Sequence, residues 1–409
     1  MKEPNIRFKG FRGEWKTSII GDIATFSKGR GYSKSDLRSE GNPIVLYGRL
    51  YTNYSSVIES VDTFASLQNG SVLTKGNEVI IPGSGETPED IAVASAVEQK
   101  GVILGGDLNV LTFDQEKISP AFAAMSITYS NTHNELSGYA QGKTVVHLHN
   151  SSISKGHISY PYIDEQQSIS TYFQHLDSLI QSTTKKIESL KQVKAASLQS
   201  MFPQEGETTP RVRFKGFEGE WEKKTLGDCL TINNERNQSN VYGINDVLSV
   251  SDEVGVVNQI KLLGRSYAGK SVVNYRVLKT NQIVYTKSPL KSKPYGIIKV
   301  NKGDIGIVSV LYAVYDANEN VYPDYIHYYF EPIHRINNYL LPLINKGAKN
   351  TMNISDEMAL TGNIWIPSLE EQKKIADFLQ ALDSQITLQT LRLEKLKQIK
   401  AACLDKMFV

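Results

Sequence analysis

The sequence predicts an α+β fold in which two mixed domains are joined by two long helices that pair as an antiparallel coiled coil, with a pseudo-twofold internal repeat. Three observations carry this expectation. A frame of matched segments occurs twice, the longer segment of each frame has heptad periodicity, and the regions between them are short apolar runs separated by glycine and polar turns.

The frame comes first because it fixes the boundaries. PNIRFKGFRGEWKTSIIGD at 4–22 returns as PRVRFKGFEGEWEKKTLGD at 210–228, and EQQSISTYFQHLDSLIQSTTKKIESLKQVKAASLQSMF at 165–202 returns as EQKKIADFLQALDSQITLQTLRLEKLKQIKAACLDKMF at 371–408. Both pairs are offset by 206 residues. The inserts between them, 23–158 and 229–362, share almost no sequence. The expected division is a domain over 1–158 containing frame segment 4–22, a helix over 159–204, a domain over 205–362 containing frame segment 210–228, and a helix over 363–409.

The helices follow from spacing. Ile169, Phe173, Leu176, Ile180, Ile187, Leu190 and Met201 fall on steps that fit a heptad seam, as do Ile375, Leu379, Leu382, Ile386, Leu393, Leu396 and Met407. Ser368 and Glu371 have capping-box spacing at the second start, and Pro203 ends the first helix. Each helix is expected to run about 37 residues, roughly 55 Å at 1.5 Å per residue. A seam this narrow and long suits a coiled partner better than the alternative, a core helix of its own domain, and the other copy is the obvious partner. In the inserts, NEVIIP, GVILGG, LNVLTF, YRVL, QIVYT, YGIIKV and DIGIVSVLYAVY read as strands, whereas ISPAFAAMSITYS and DYIHYYFEPIHRINNYLLPLI read as helical.

Composition narrows the function. The formal net charge of 409 residues is +2, so attraction to a polyanion has to come from local clustering. Cys229 and Cys403 are the two cysteines and lack metal-ligand spacing, which indicates neither a disulfide framework nor a zinc site. No stretch approaches the roughly 18 uninterrupted apolar residues of a membrane span, and MKEPNIRFKGF has no apolar run behind its charges. A cytoplasmic protein with no membrane partner is expected. Catalytic patterns are missing too: His147 and His149 lack a third ligand at suitable spacing, and PGSGETPED contains no nucleophile elbow.

Clusters of basic residues do occur. Lys261 to Lys302 contains ten (Lys261, Arg265, Lys270, Arg276, Lys279, Lys287, Lys291, Lys293, Lys299, Lys302), with Tyr267, Tyr275, Tyr285 and Tyr295 interleaved and no Asp or Glu. That composition suits a surface that neutralises phosphates and reaches base edges; a solvated lysine-rich sheet face is the bland alternative. The first insert has a weaker counterpart in Lys28, Arg30, Lys34 and Arg38, and in Arg49 between Tyr47 and Tyr51. Arg30 and Arg49 have the chemistry for bidentate contact with guanine and Asn53 for adenine, against a flexible solvated loop. QGKTVVHLHN and NKGAKNTMNIS, with Lys143 and Lys349, read as matching contact loops ahead of the two helices.

GRSYAGKS at 264–271 fits the phosphate-loop pattern G-x-x-x-x-G-K-[ST]. The β-branched run SVVNYRVL follows where that mechanism needs a helix N-terminus. A nucleotide-hydrolysing protein is therefore the distant alternative.

The order F-K-G-F-x-G-E-W, then IGD or LGD, a variable domain, a proline, EQ opening a long helix and L-K-Q-x-K-A-A near its end resembles the specificity subunit of type I restriction-modification systems. The resemblance covers both halves of the chain. It implies two target recognition domains, each reading a few base pairs of a bipartite, asymmetric site in double-stranded DNA. It also implies that the helices set the gap between half-sites and dock two methyltransferase subunits, and that restriction subunits with ATPase and nuclease join them. The chain itself is then non-catalytic and carries no cofactor, and S-adenosylmethionine, ATP and magnesium are expected in the partner subunits. Residues 147–150 stand where the second copy has an NTMN stretch, a departure in the first contact loop. The DNA-reading subunit of another bipartite restriction system is the nearer alternative, and a protein-binding coiled-coil scaffold a further one.

Overall fold

A computed structural model describes residues 3–269, 271–290, 293–346 and 352–409. It divides into two compact units, Met1–Thr184 with Leu391–Val409, and Lys185–Thr390. The long helices run Ile163–Ser200 and Leu369–Met407, 38 and 39 residues. Each unit therefore holds one insert, one frame segment, the beginning of the helix that follows it and the end of the other helix.

The first unit is built on a sheet ordered Ala24–Lys28, Leu108–Phe113, Glu78–Pro82, Ser95–Val97, Val57–Ile58, antiparallel except for its last pair. Helices Pro120–Tyr129 and Asn131–Tyr139 follow it in the chain. Every residue of Glu78–Pro82 is buried, which explains why NEVIIP reads as a continuous apolar run rather than an alternating one. The second unit repeats the order with Leu230–Ile232, Ala313–Ala317, Ile283–Tyr285 and Ile298–Val300, all antiparallel, followed by helices Pro323–Phe330 and Ile333–Leu340. Inserts that look unrelated in sequence thus share four central strands and two helices. They differ in what is added. The first unit carries a small sheet of Ile103–Leu104, Asn42–Val45, Phe64–Ala65 and Leu37–Arg38; the second carries the hairpin Leu248–Ser251/Gly255–Asn258 and the pair Arg276–Leu278/Gly306–Val308.

The frame recurs contact by contact. Lys16–Ile19 pairs with His157–Tyr160, and Glu222–Thr225 pairs with Asn363–Ile366. Arg7 donates to both carboxylate oxygens of Glu165 at 2.6 and 2.7 Å, and Arg213 does the same to Glu371 at 2.7 and 2.8 Å. Gln166 Nε2 donates to the Lys117 and Pro161 carbonyls while its Oε1 accepts from the N–H of Ser119, the residue capping Pro120–Tyr129. Gln372 treats Asn320, Pro367 and Tyr322 identically. The EQ dipeptide therefore ties each long helix to its own frame segment and insert. The capping box expected at Ser368 is only half formed: Glu371 N–H reaches Ser368 Oγ at 3.4 Å, but the Glu371 carboxylate is taken by Arg213.

Heptad residues enter two cores. Ile169, Phe173 and Leu176 are buried with Met407 and Phe408, with Leu396 packed against them. Ile375 and Leu379 are buried with Leu198, Met201 and Phe202, and Leu382 lines that core. In the first unit Tyr172 meets Cys403 and Asp177 pairs with Lys400, so the segments run antiparallel; in the second, Lys194 pairs with Asp383 while Leu198 shares a core with Ile375 and Leu379, the same sense. Ile187 is buried, whereas Ile180, Leu190, Ile386 and Leu393 are half-buried. Phe408 packs 6.5 Å from Trp15, and Phe202 packs 6.4 Å from Trp221, so the M-F at each helix end fills the core of the unit it reaches.

Candidate nucleic-acid interface

In the first unit the stretch SKGRGYSKSD is pinned rather than loose. Gly29 and Arg30 N–H groups bond the Leu108 and Leu104 carbonyls, and the Tyr32 hydroxyl bonds the Gln68–Ser71 turn. Ser33 and Asp36 cap the turn Lys34–Asp36, and the Ser33 N–H holds the Asp36 carboxyl below its ordinary pKa. Lys28, Arg30 and Lys34 are exposed on this rigid ridge.

Arg49 behaves differently. Its guanidinium is only 16% exposed and pairs with Asp62 at 2.5 Å. The fork expected to be open from YGRLYTNY is thus engaged in this structure by a carboxylate whose own side chain is 75% exposed. Tyr51 on the short helix Arg49–Thr52 donates to the Ser84 carbonyl at 2.7 Å, with burial raising its hydroxyl above the usual pKa, and Asn53 is exposed at the helix end. Lys143 is exposed on the hairpin closed by reciprocal Gln141–His147 backbone bonds. In the second unit Asn345–Lys346 pairs antiparallel with Met352–Asn353. Lys349 lies outside the described residues.

The basic run in the second unit is mostly neutralised from elsewhere in the chain. Arg276 and Lys287 both pair with Asp356, Lys279 with Glu235, Lys293 and Lys299 with Asp252, and Lys302 with Asp324. Arg276, Lys293 and Lys299 are 7%, 6% and 4% exposed, and burial pushes the Lys299 ammonium pKa down. The expectation of an acid-free surface from 261 to 302 is therefore corrected: Lys287 and Lys293 are internal partners of carboxylates, because the acids come from residues 235, 252, 324 and 356. Lys270 and Lys291 lie outside the described residues.

Arg265 and Tyr267 stay exposed. The Arg265 guanidinium stacks on the Tyr267 ring at 4.6 Å, and Tyr267 is 61% exposed. Gln259, at the start of the short helix Gln259–Leu263, anchors their loop by accepting from Ser266 Oγ and Tyr267 N–H. No local pattern in the sequence announces that role. Gly264 closes this helix with φ +77, and beyond Ser271 the chain passes to the strand Arg276–Leu278, not to a helix N-terminus. This removes the geometric basis of the phosphate-loop alternative. Among the described residues no carboxylate lies within ion-pair distance of Lys28, Arg30, Lys34, Lys143, Lys261 or Arg265, and none form a metal-holding group of His, Cys, Asp and Glu. No helix among them is long and apolar enough to cross a membrane.

Two α+β domains on one repeated frame, each exposing unpaired cations on braced loops, define a duplicated recognition protein. The pattern described as the type I restriction modification DNA specificity domain matches residues 12–192 and 218–398, again 206 apart, and the chain belongs to that family. The crystal structure of the type I restriction-modification system S subunit from M. genitalium is similar at TM-score 0.60 and 13% identity, covering 100% of this chain and 99% of that one. The HsdS subunit from Thermoanaerobacter tengcongensis gives TM-score 0.45 and 16% identity over 100% and 99% of the two chains. The comparison with curated proteins returns no match.

Proposed function

We propose that this chain reads a bipartite, asymmetric DNA site, one half with each unit, and docks methyltransferase and restriction subunits that supply the chemistry with S-adenosylmethionine, ATP and magnesium. The observation that carries this reading is the repetition of the family match at 206 residues with a shared sheet order and unlike additions. Like scaffolds present the two readers equivalently, while unlike loops offer different donors and acceptors to the bases, so the two halves of the site differ in sequence.

Cations on braced loops suit phosphate contact and positioning, whereas the lysines paired with carboxylates add little to the field that DNA meets. The test is exchange. Replacing residues 229–362 with the corresponding insert of a related protein, in complex with the modification subunits, is expected to change one half of the methylated site and preserve the other half and the gap. A change in both halves together would overturn the two-reader assignment.

A further inference from the structure

We propose that His147 is a specificity-determining residue of the first unit, presenting its unprotonated Nε2 as an acceptor to the exocyclic amine of a base, cytosine N4 or adenine N6. This rests on the reading of that unit as a DNA reader and assigns the chemistry of one contact within it.

The assignment follows from giving the single Ser84 proton to the Asp107 carboxylate rather than to His147 Nδ1. Ser84 Oγ lies 3.3 Å from Asp107 Oδ2 and 3.1 Å from His147 Nδ1. A serine hydroxyl has one proton, and an ionised carboxylate only accepts. With that proton directed to Asp107, Ser84 Oγ has lone pairs left for His147, and Nδ1 carries the ring N–H. In a neutral imidazole the other nitrogen is then an acceptor. His147 is exposed, and its hydrogen bonds among the described residues engage the backbone and Nδ1, leaving Nε2 for an outside donor.

The backbone that carries the ring is also held. Ser84–Gly85 pairs antiparallel with Val146–His147, Leu148 N–H donates to the Gly83 carbonyl, and Asn109 Nδ2 donates to the Pro82 and Leu148 carbonyls. Gly83 N–H donates to the Asp107 carbonyl, which fixes the residue that orients Ser84. Here Tyr51, bonded to the Ser84 carbonyl, and the hairpin bearing Lys143 come together, although they are far apart in sequence. The His149 ring lies parallel to that of His147 with centroids 6.2 Å apart. A fixed acceptor beside an exposed lysine divides the work: the lysine meets phosphate and the imidazole meets a base edge. Guanine shows only acceptors at its major-groove edge, whereas cytosine N4 and adenine N6 donate, so an acceptor favours the amine-bearing bases.

The test uses the chain in complex with its modification subunits. His147→Ala, and His147→Phe, which keeps the ring bulk, should melt with the wild type because the residue is exposed. Discrimination at one position of the first half-site should fall roughly tenfold in both, about the worth of one hydrogen bond, with the other half-site and the gap unchanged. Ser84 is a positioning residue: Ser84→Ala should relax the same position by allowing the other tautomer, and Ser84→Thr should restore it. Duplexes in which purine replaces adenine, or 2-pyrimidinone replaces cytosine, at that position separate the two amines. The wild type should lose tenfold on the relevant one and His147→Ala should be indifferent. Full discrimination by His147→Ala at every position overturns this inference alone. A wild-type complex that ignores the sequence of the first half-site overturns the DNA-reading assignment of the unit.

Discussion

Glu165 is 1% exposed, and Arg7 meets it with two nitrogens; Glu371, also 1% exposed, meets Arg213 in the same way. Removing the arginine strands a carboxylate in the interior. Arg7→Ala is therefore expected to cost about 3–5 kcal/mol of stability in the first unit, with Arg213→Ala matching it in the second, as read by urea denaturation. Glu165→Gln should cost less, since no buried charge is left behind. His327 makes a second prediction at this scale. Its Nδ1 is buried with no hydrogen-bond partner among the described residues, and burial, aided by the Lys299 and Lys194 cations, pushes the imidazole well below its ordinary pKa of 6.5. The unfolded chain takes up this proton near 6.5 and the folded chain only much lower, so the unfolded state binds more protons between the two values. Stability is full above that point and falls with acidification by up to about 1.4 kcal/mol per pH unit. Denaturation midpoints from pH 7.5 to pH 5 should drop more steeply for the wild type than for His327→Gln.

At the scale of elements, the ends of the long helices act as anchors. Phe202 is fully buried against Trp221, Tyr325 and Tyr329, and the Arg335 guanidinium lies over its ring at 4.6 Å while donating to the Leu198 carbonyl. Phe202→Ala is expected to destabilise the second unit by about 3–5 kcal/mol, measured by thermal or urea unfolding. The loop bearing Arg265 and Tyr267 depends on a weaker tether. Gln259→Ala removes the acceptor for Ser266 and Tyr267 without opening a core, so the melting temperature should hold. DNA affinity of the assembled complex should fall roughly threefold to tenfold, because binding then has to order the loop.

For the whole molecule, the proposed reading of a bipartite site makes the link between the two units testable. The first long helix ends at Ser200, Phe202 is clamped in its core, and Gln204–Glu207 forms a turn with Gly206 at φ +83. Arg213 is fixed again by Glu371. Four residues inserted after Pro203 therefore enter a turn held between the buried Phe202 and the Arg213–Glu371 pair, and they are expected to bulge rather than lengthen a helix. Methylation mapped over a library of gap lengths should keep its original optimum and both half-site sequences. A shift of the optimum by one or two base pairs would show that this turn, not the helices, sets the spacing.

The repeat, the two helices and the most apolar strands were legible because their signals are local. Periods near 3.6 and 2 are visible within a dozen residues, and a duplicated frame is visible by alignment with itself. NEVIIP, LNVLTF and QIVYT became central strands, legible as short apolar runs bounded by turn residues rather than by alternation, and the M-F pairs closed the helices they end. Which strands neighbour each other was not legible, so two unlike inserts concealed one sheet order. Nor were the partners of the cations: Lys287 and Lys293 looked free because Asp356 and Asp252 are distant in sequence. Arg49 likewise found Asp62, and Ser84, Asp107 and His147, spread over more than sixty positions, became one hydrogen-bonded group. Coulomb and hydrogen-bond energies depend on separation in space, and only the folded backbone converts separation along the chain into that distance.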